Sequence, residues 1–206
     1  MTGDSPARIL RAADRAALPW KNGAGVTREV AVHPSESDLS SFDWRVSIAE
    51  VRTAGSFSLF PGVDRRMAVL EGSLVLAIDA REPMDVLPGS APVWFAGEVS
   101  VFARPLGPLV TDLNVMTRRG RFESRMERRT VPGSADLALR AQTTVIVALS
   151  ELGMRCRGAL ASLSRLDAAL IEGAAQCQVL SQAPEPSFYL IELSAAAEHR
   201  PMARTR

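Results

Sequence analysis

The chain alternates short apolar runs with Gly, Pro, Asn or Asp breaks, and few windows hold a helical period for long. That pattern predicts an all-β protein. Strands are expected over 25–33 (GVTREVAVH), 43–51 (DWRVSIAEV), 56–60 (SFSLF), 65–70 (RRMAVL), 73–79 (SLVLAID) and 92–95 (PVWF). Turns at Phe60-Pro61-Gly62, Glu71-Gly72 and Ala96-Gly97 separate several of them. Further strands are expected over 109–118 (LVTDLNVMTR), 121–129, 143–149, 158–164, 167–171, 175–181 and 187–193. Helix is expected only in two short pieces, 36–41 and 134–141, the second because DLALRA follows Ser134 as a cap. So many short strands call for a sandwich, a closed barrel or two fused barrels, since closure removes edges that would otherwise aggregate. A length of 206 residues fits a pair of small, intimately packed barrels.

The period of two assigns faces. Along 43–51, Trp44, Val46 and Ile48 share one face, and Asp43, Arg45, Ser47 and Ala49 the other. Along 111–118, Asp112, Asn114, Met116 and Arg118 share a face, so a carboxylate, an amide and a guanidinium stand in a row. Each polar row reads either as a solvated surface or as the lining of a pocket for a ligand with carboxylate and amide groups.

Charge narrows the partners. With 24 basic and 23 acidic residues the net charge is +1, so no global field gathers nucleic acid or an anionic membrane, and neither is expected as a partner. In the arginine run 116–129, Arg121, Glu123, Arg125, Glu127 and Arg129 alternate in sign along one strand face, which reads as a salt-bridged surface. Hydrophobic residues at 47% suit a sizeable core. No run approaches a membrane span and the opening residues show no secretory apolar segment, so a cytoplasmic protein with reduced cysteines is expected.

Catalytic signatures are scarce. The segment Pro19–Gly25 (PWKNGAG) is not a phosphate loop, because Lys21 precedes the glycines and the segment leads into a strand. There is no Gly-x-Ser-x-Gly elbow. Cys156, flanked by Arg155 and Arg157, reads as inert strand filling, and His33 and His199 read as surface residues. With two histidines, no metal centre and no cofactor is expected. Glu50, Asp64 and Asp112 are the carboxylates that could act as acid or base.

The motifs PWKNGAGVTREVA (19–31), FDWRVSIAEV (42–51), GSFSLFPGVDR (55–65), LEG (70–72) and TDLNVMTRRG (111–120) together resemble the HutD/Ves family. The match covers the first 120 residues in order, with Gly23-Ala24-Gly25 standing where the family carries a glycine triplet. The resemblance implies a bicupin: two small fused β-barrels of the RmlC-like cupin type, over 1–120 and 121–206. Cupin enzymes commonly hold a metal through His-x-His, which this chain lacks, so the resemblance and the histidine count both point to a metal-free pocket. Carried over residue by residue, the pocket would be formed by Trp20, Lys21, Asn22, Arg45, Ser47, Arg65, Asp112, Asn114 and Arg118. The family further implies a regulatory protein of histidine utilisation or stress response that binds a small carboxylate such as N-formylglutamate. The alternative is a cupin hydrolase or isomerase with Asp112 as acid or base beside Arg118. A symmetric homodimer is the expected assembly, C2 pairing being the commonest.

Overall fold

The computed structural model describes residues 6–20, 23–181 and 186–197. Regular structure among them is one 3-10 turn (Ala12–Asp14) and nineteen strands. In chain order these are β1 (Arg8–Leu10), β2 (Ala17–Pro19), β3 (Gly25–His33), β4 (Trp44–Val51), β5 (Gly55–Ser56), β6 (Val63–Glu71), β7 (Leu74–Ile78), β8 (Met84–Val86), β9 (Val93–Ala96) and β10 (Val101–Pro105). They continue as β11 (Val110–Arg118), β12 (Phe122–Thr130), β13 (Ser134–Leu139), β14 (Thr143–Ala148), β15 (Leu152–Cys156), β16 (Ala159–Leu163), β17 (Ala168–Glu172), β18 (Ala175–Leu180) and β19 (Ser187–Ala195).

The strands form two barrels, each a large sheet closed by a small one. In the first, the order β2-β3-β4-β11-β6-β9 faces β5-β10-β7-β8; in the second, β1-β17-β14-β19-β12 faces β13-β18-β15-β16. The two large sheets pack back to back. Trp44, Val46, Ile48, Leu113 and Val115 from one meet Phe122, Val145, Val147, Tyr189 and Ile191 from the other in one apolar cluster. The faces expected for 43–51 are observed, but neither is wet: the Trp44 face lies between the barrels and the Arg45 face inside the first. The first residues cross over, since β1 pairs with β17 of the second barrel. Asp167 anchors that crossing by accepting from Arg11 Nη1 (2.8 Å), Ala12 N (2.7 Å) and Ser164 N (3.0 Å).

Two helical expectations are overturned. Residues 36–41 form turns, in which the Asp38 carboxylate accepts from the backbone N–H groups of Ser40 and Ser41. Residues 134–139 are β13, paired with β18 along its length. Leu137 and Leu139 both enter the core of the second barrel, which requires a period of two rather than 3.6. Cys156 and Cys177, expected as separate reduced thiols, stand opposite each other on β15 and β18 and are joined as a disulfide. Their Cα atoms are 4.3 Å apart, the spacing of a closely paired antiparallel position. The arginine run behaves as read: Glu127 is ion-paired with both Arg125 and Arg129 on the exposed face of β12.

Candidate functional site

The interiors of the two barrels differ in chemistry. The second is filled by apolar side chains such as Leu137, Ile146, Met154, Ile171 and Phe188. The first is apolar at one end, where Val51, Val110 and Val69 meet Leu74, Leu76, Ile78 and Val101. Toward its other end the pairing builds polar rows. Arg45 on β4, Met116 on β11 and Arg65 on β6 stand side by side; Ser47, Asn114 and Met67 form the next row, and Ala49, Asp112 and Val69 the one after. Thr27 and Glu29 of β3 join opposite Ala49 and Ser47. A register shift follows Glu29 on β3, and another precedes Asp112 between β11 and β6, so bulges re-aim the backbone beside both carboxyl groups.

The side chains form two neighbouring hydrogen-bonded sets. Arg45 Nε donates to Glu29 Oε2 (2.8 Å) and its Nη1 to Ser47 Oγ (3.3 Å). Arg65 Nη2 donates to Asn114 Oδ1 (3.0 Å), and Asn114 Nδ2 donates in turn to Asp112 Oδ1. The Arg65 guanidinium sits among the rings of Phe57 (5.1 Å), Phe95 (5.1 Å) and Phe60 (5.6 Å), an electrostatically favourable cradle for a desolvated cation. Asp112 is only 1% exposed. Burial pushes its carboxyl up to about 7, outweighing the opposing effects of the Arg65 charge and the Asn114 hydrogen bond. Burial also draws Arg65 down to about 10; Asp112 opposes that shift and Arg45 adds to it.

Seven of the nine residues expected at the site can be placed. Arg45, Ser47, Arg65, Asp112 and Asn114 converge inside the barrel, all buried. Trp20 stands at the apolar end, its Nε1 donating to Thr27 Oγ1 (2.7 Å). Its ring lies so close to Gly25 that a Cβ there would come within 3.2 Å of Trp20 Cε3 and 2.3 Å of the Glu50 carbonyl oxygen. Lys21 and Asn22 lie outside the described residues. Arg118 is not brought to Asp112. It lies six residues along the same strand, about 20 Å at strand rise. Its guanidinium covers Phe42 (5.3 Å) and donates to the Ser40 carbonyl (2.9 Å). The cation that acts on the Asp112 carboxyl is instead Arg65, which Asn114 bridges to it. Sequence reading missed Glu29, Thr27 and the phenylalanine cradle; the period of two along 25–33 already put Thr27 and Glu29 on one face.

Two guanidinium groups, one of them paired with Glu29, a buried carboxyl, an amide and hydroxyls make a donor-rich set of the kind that suits an anion. It does not fit the metal centre that the cupin fold often carries, because cationic groups occupy the interior and, among the described residues, no imidazole joins Asp112. Among the described residues no three His, Cys, Asp or Glu side chains converge.

Comparison with known proteins places the chain. The family model HutD matches residues 12–187. The chain belongs to the HutD family. An uncharacterized 21.2 kDa protein of the hutC 3' region of Pseudomonas putida is 33% identical over 92% of this chain and 98% of its own length. Protein Ves of Citrobacter koseri is 41% identical over 52% of this chain and 56% of its own. The solved structure of HutD from Pseudomonas fluorescens, obtained in a formate condition, superposes with a TM-score of 0.79 at 28% identity, covering 93% of this HutD chain and all of the other. A cupin 2 conserved barrel protein from Leptotrichia buccalis shares the fold alone, at 10% identity and a TM-score of 0.59. This HutD family member is thus a cupin-type all-β protein, and among its described residues no helix is long and apolar enough to cross a membrane.

Proposed function

We propose that this protein binds a small anionic metabolite inside its first barrel and acts in regulation of histidine utilisation or of a stress response. The observation that carries the reading is the buried set Arg45, Arg65, Asp112 and Asn114, with unpartnered atoms on Arg65 and Asp112, in a barrel whose sister has a core of mostly apolar side chains and, among the described residues, no buried charge of this kind. Arginine provides charge-assisted contacts to a carboxylate. The names of relatives support the setting: one from a hutC region, one called Ves, and one HutD structure obtained with formate. The proposed ligand is N-formylglutamate or a related carboxylate. The proposed location is the cytoplasm, where such intermediates of amino-acid breakdown arise, and the proposed assembly is a homodimer, which light scattering would show at twice the chain mass.

Calorimetry against formate, N-formylglutamate, urocanate and glutamate tests the reading. At least one saturable, salt-sensitive interaction below millimolar is expected, and its absence for all four sinks the proposal. A hydrolase or isomerase is the second reading, favoured by one observation: Asp112 is a buried carboxyl poised near neutrality with one oxygen unpartnered. A product formed from these carboxylates by the wild type and absent with Asp112→Asn would put that reading first.

A further inference from the structure

Two buried polar atoms turned into the first barrel's interior lack partners, and they define what can dock there. Asp112 Oδ1 accepts from Asn114, but Asp112 Oδ2 is buried with no hydrogen-bond partner. Arg65 Nε is buried and unpartnered as well. Asn114 ties the two residues together, its oxygen toward Arg65 and its nitrogen toward Asp112, so its amide orientation is set from both ends. The other charged groups on the inward faces of the neighbouring strands are Arg45 on β4 and Glu29 on β3, which are paired with each other, while Arg28, Glu50, Asp64 and Arg66 lie on the opposite faces. The residues directly opposite Asp112, Ala49 on β4 and Val69 on β6, bring no charge. A carboxylate oxygen buried without a donor is costly, whereas a carboxyl O–H there needs only an acceptor. Arg65 Nε–H also needs an acceptor. Both open positions therefore ask for ligand oxygen.

We propose that Asp112 meets the ligand as a carboxylic acid, donating Oδ2–H to a ligand carboxylate held by Arg65, so that the site prefers carboxylates to amides and ammonium groups and takes up a proton on binding. The inference rests on the reading of the first barrel as a carboxylate site. The proton passes from solvent to the Asp112 carboxylate, and no bond of the ligand forms or breaks. Desolvation already holds Asp112 partly protonated at neutral pH in the free protein. A second negative charge beside it drives protonation further. A carboxamide offers one acceptor oxygen but turns N–H groups toward these two donors, and an ammonium offers no acceptor at all.

Formate, which stays ionised across the range, is the probe. Its binding to the full chain is measured by calorimetry from pH 6 to pH 8 in buffers of different ionisation enthalpy. The dissociation constant should rise roughly tenfold over that range, with uptake approaching about one proton per formate at the upper end. Asp112→Asn keeps the acceptor for Asn114 and presents a permanent N–H donor, so its formate affinity should vary by less than about twofold over the same range. Formate binding by the wild type without proton uptake overturns the proposal and leaves the carboxylate site standing. So does loss of formate binding in a folded Asp112→Asn protein. If neither formate nor N-formylglutamate binds at any pH, the reading of the site falls and the proposal with it.

Discussion

Asp112 is where the cost of the site is concentrated. Its folded carboxyl titrates near 7, against an ordinary value of 3.8, because the barrel strips it of water. Folded chains therefore keep a proton that unfolded chains release from about pH 4 upward. Stability contributed by this group is greatest below about pH 4, falls as pH rises toward 7, and is level above that, a total change on the order of a few kcal/mol. Asp112→Asn removes the titration while keeping the acceptor for Asn114. The variant should be more stable than the wild type at pH 8 by that amount, with the gap shrinking toward pH 4. Urea denaturation at the two pH values measures it, and a gap independent of pH would show that Asp112 is not desolvated as described.

At the level of elements, two joints hold the first barrel in place. Gly25 begins β3 where Trp20 and the Glu50 carbonyl leave no room for a Cβ. Gly25→Ala must move backbone or the Trp20 ring, and is expected to cost about 1–3 kcal/mol by overpacking; an unchanged melting temperature would contradict that crowding. Asp167, 4% exposed, joins the crossing segment after β1 to the turn before β17. Burial alone would raise its pKa, but the hydrogen bonds from Ala12 N, Arg11 and Ser164 N together hold it below the ordinary value. Its contribution is present above about pH 4 and fades as acid protonates it. Asp167→Ala leaves two backbone N–H groups without partners and should cost about 2–4 kcal/mol at neutral pH, read by thermal denaturation, with a smaller difference near pH 3. Equal stability of variant and wild type would show that the crossing is held by β1 pairing alone.

On the scale of the whole molecule, the two barrels share one back-to-back apolar interface but divide their chemistry. The second barrel packs Ile146, Met154 and Phe188 where the first packs arginine, asparagine and aspartate. A cupin interior built this way suits an anion, and its donors do not suit a first-row metal ion. Purified protein should carry far less than one equivalent of zinc, iron, copper or nickel, and chelator treatment should leave its melting temperature unchanged. Stoichiometric metal that resists dialysis and whose removal lowers the melting temperature would overturn the anion reading and favour the enzymatic one.

Much of this was legible in the one-dimensional pattern. Alternation along 43–51 and 111–118 correctly put Arg45 with Ser47 and Asp112 with Asn114, because side-chain direction in a strand follows from the backbone alone. Strand number and the motifs of the first 120 residues led to two fused barrels and to the family. The remainder depended on segments far apart in the chain. The reading of 134–141 as helix failed because Leu137 and Leu139 answer to a core made by β14 and β15 rather than to local propensity. The disulfide arises from the register of β15 against β18. Arg118 shares a face with Asp112 but stands about 20 Å along the strand, and what its guanidinium meets there, Phe42 and the Ser40 carbonyl, comes from a distant loop. The near-neutral titration of Asp112 is likewise a property of closure: a strand of this sequence in water would hold an ordinary carboxylate, and only the packed barrel removes the solvent that keeps it charged.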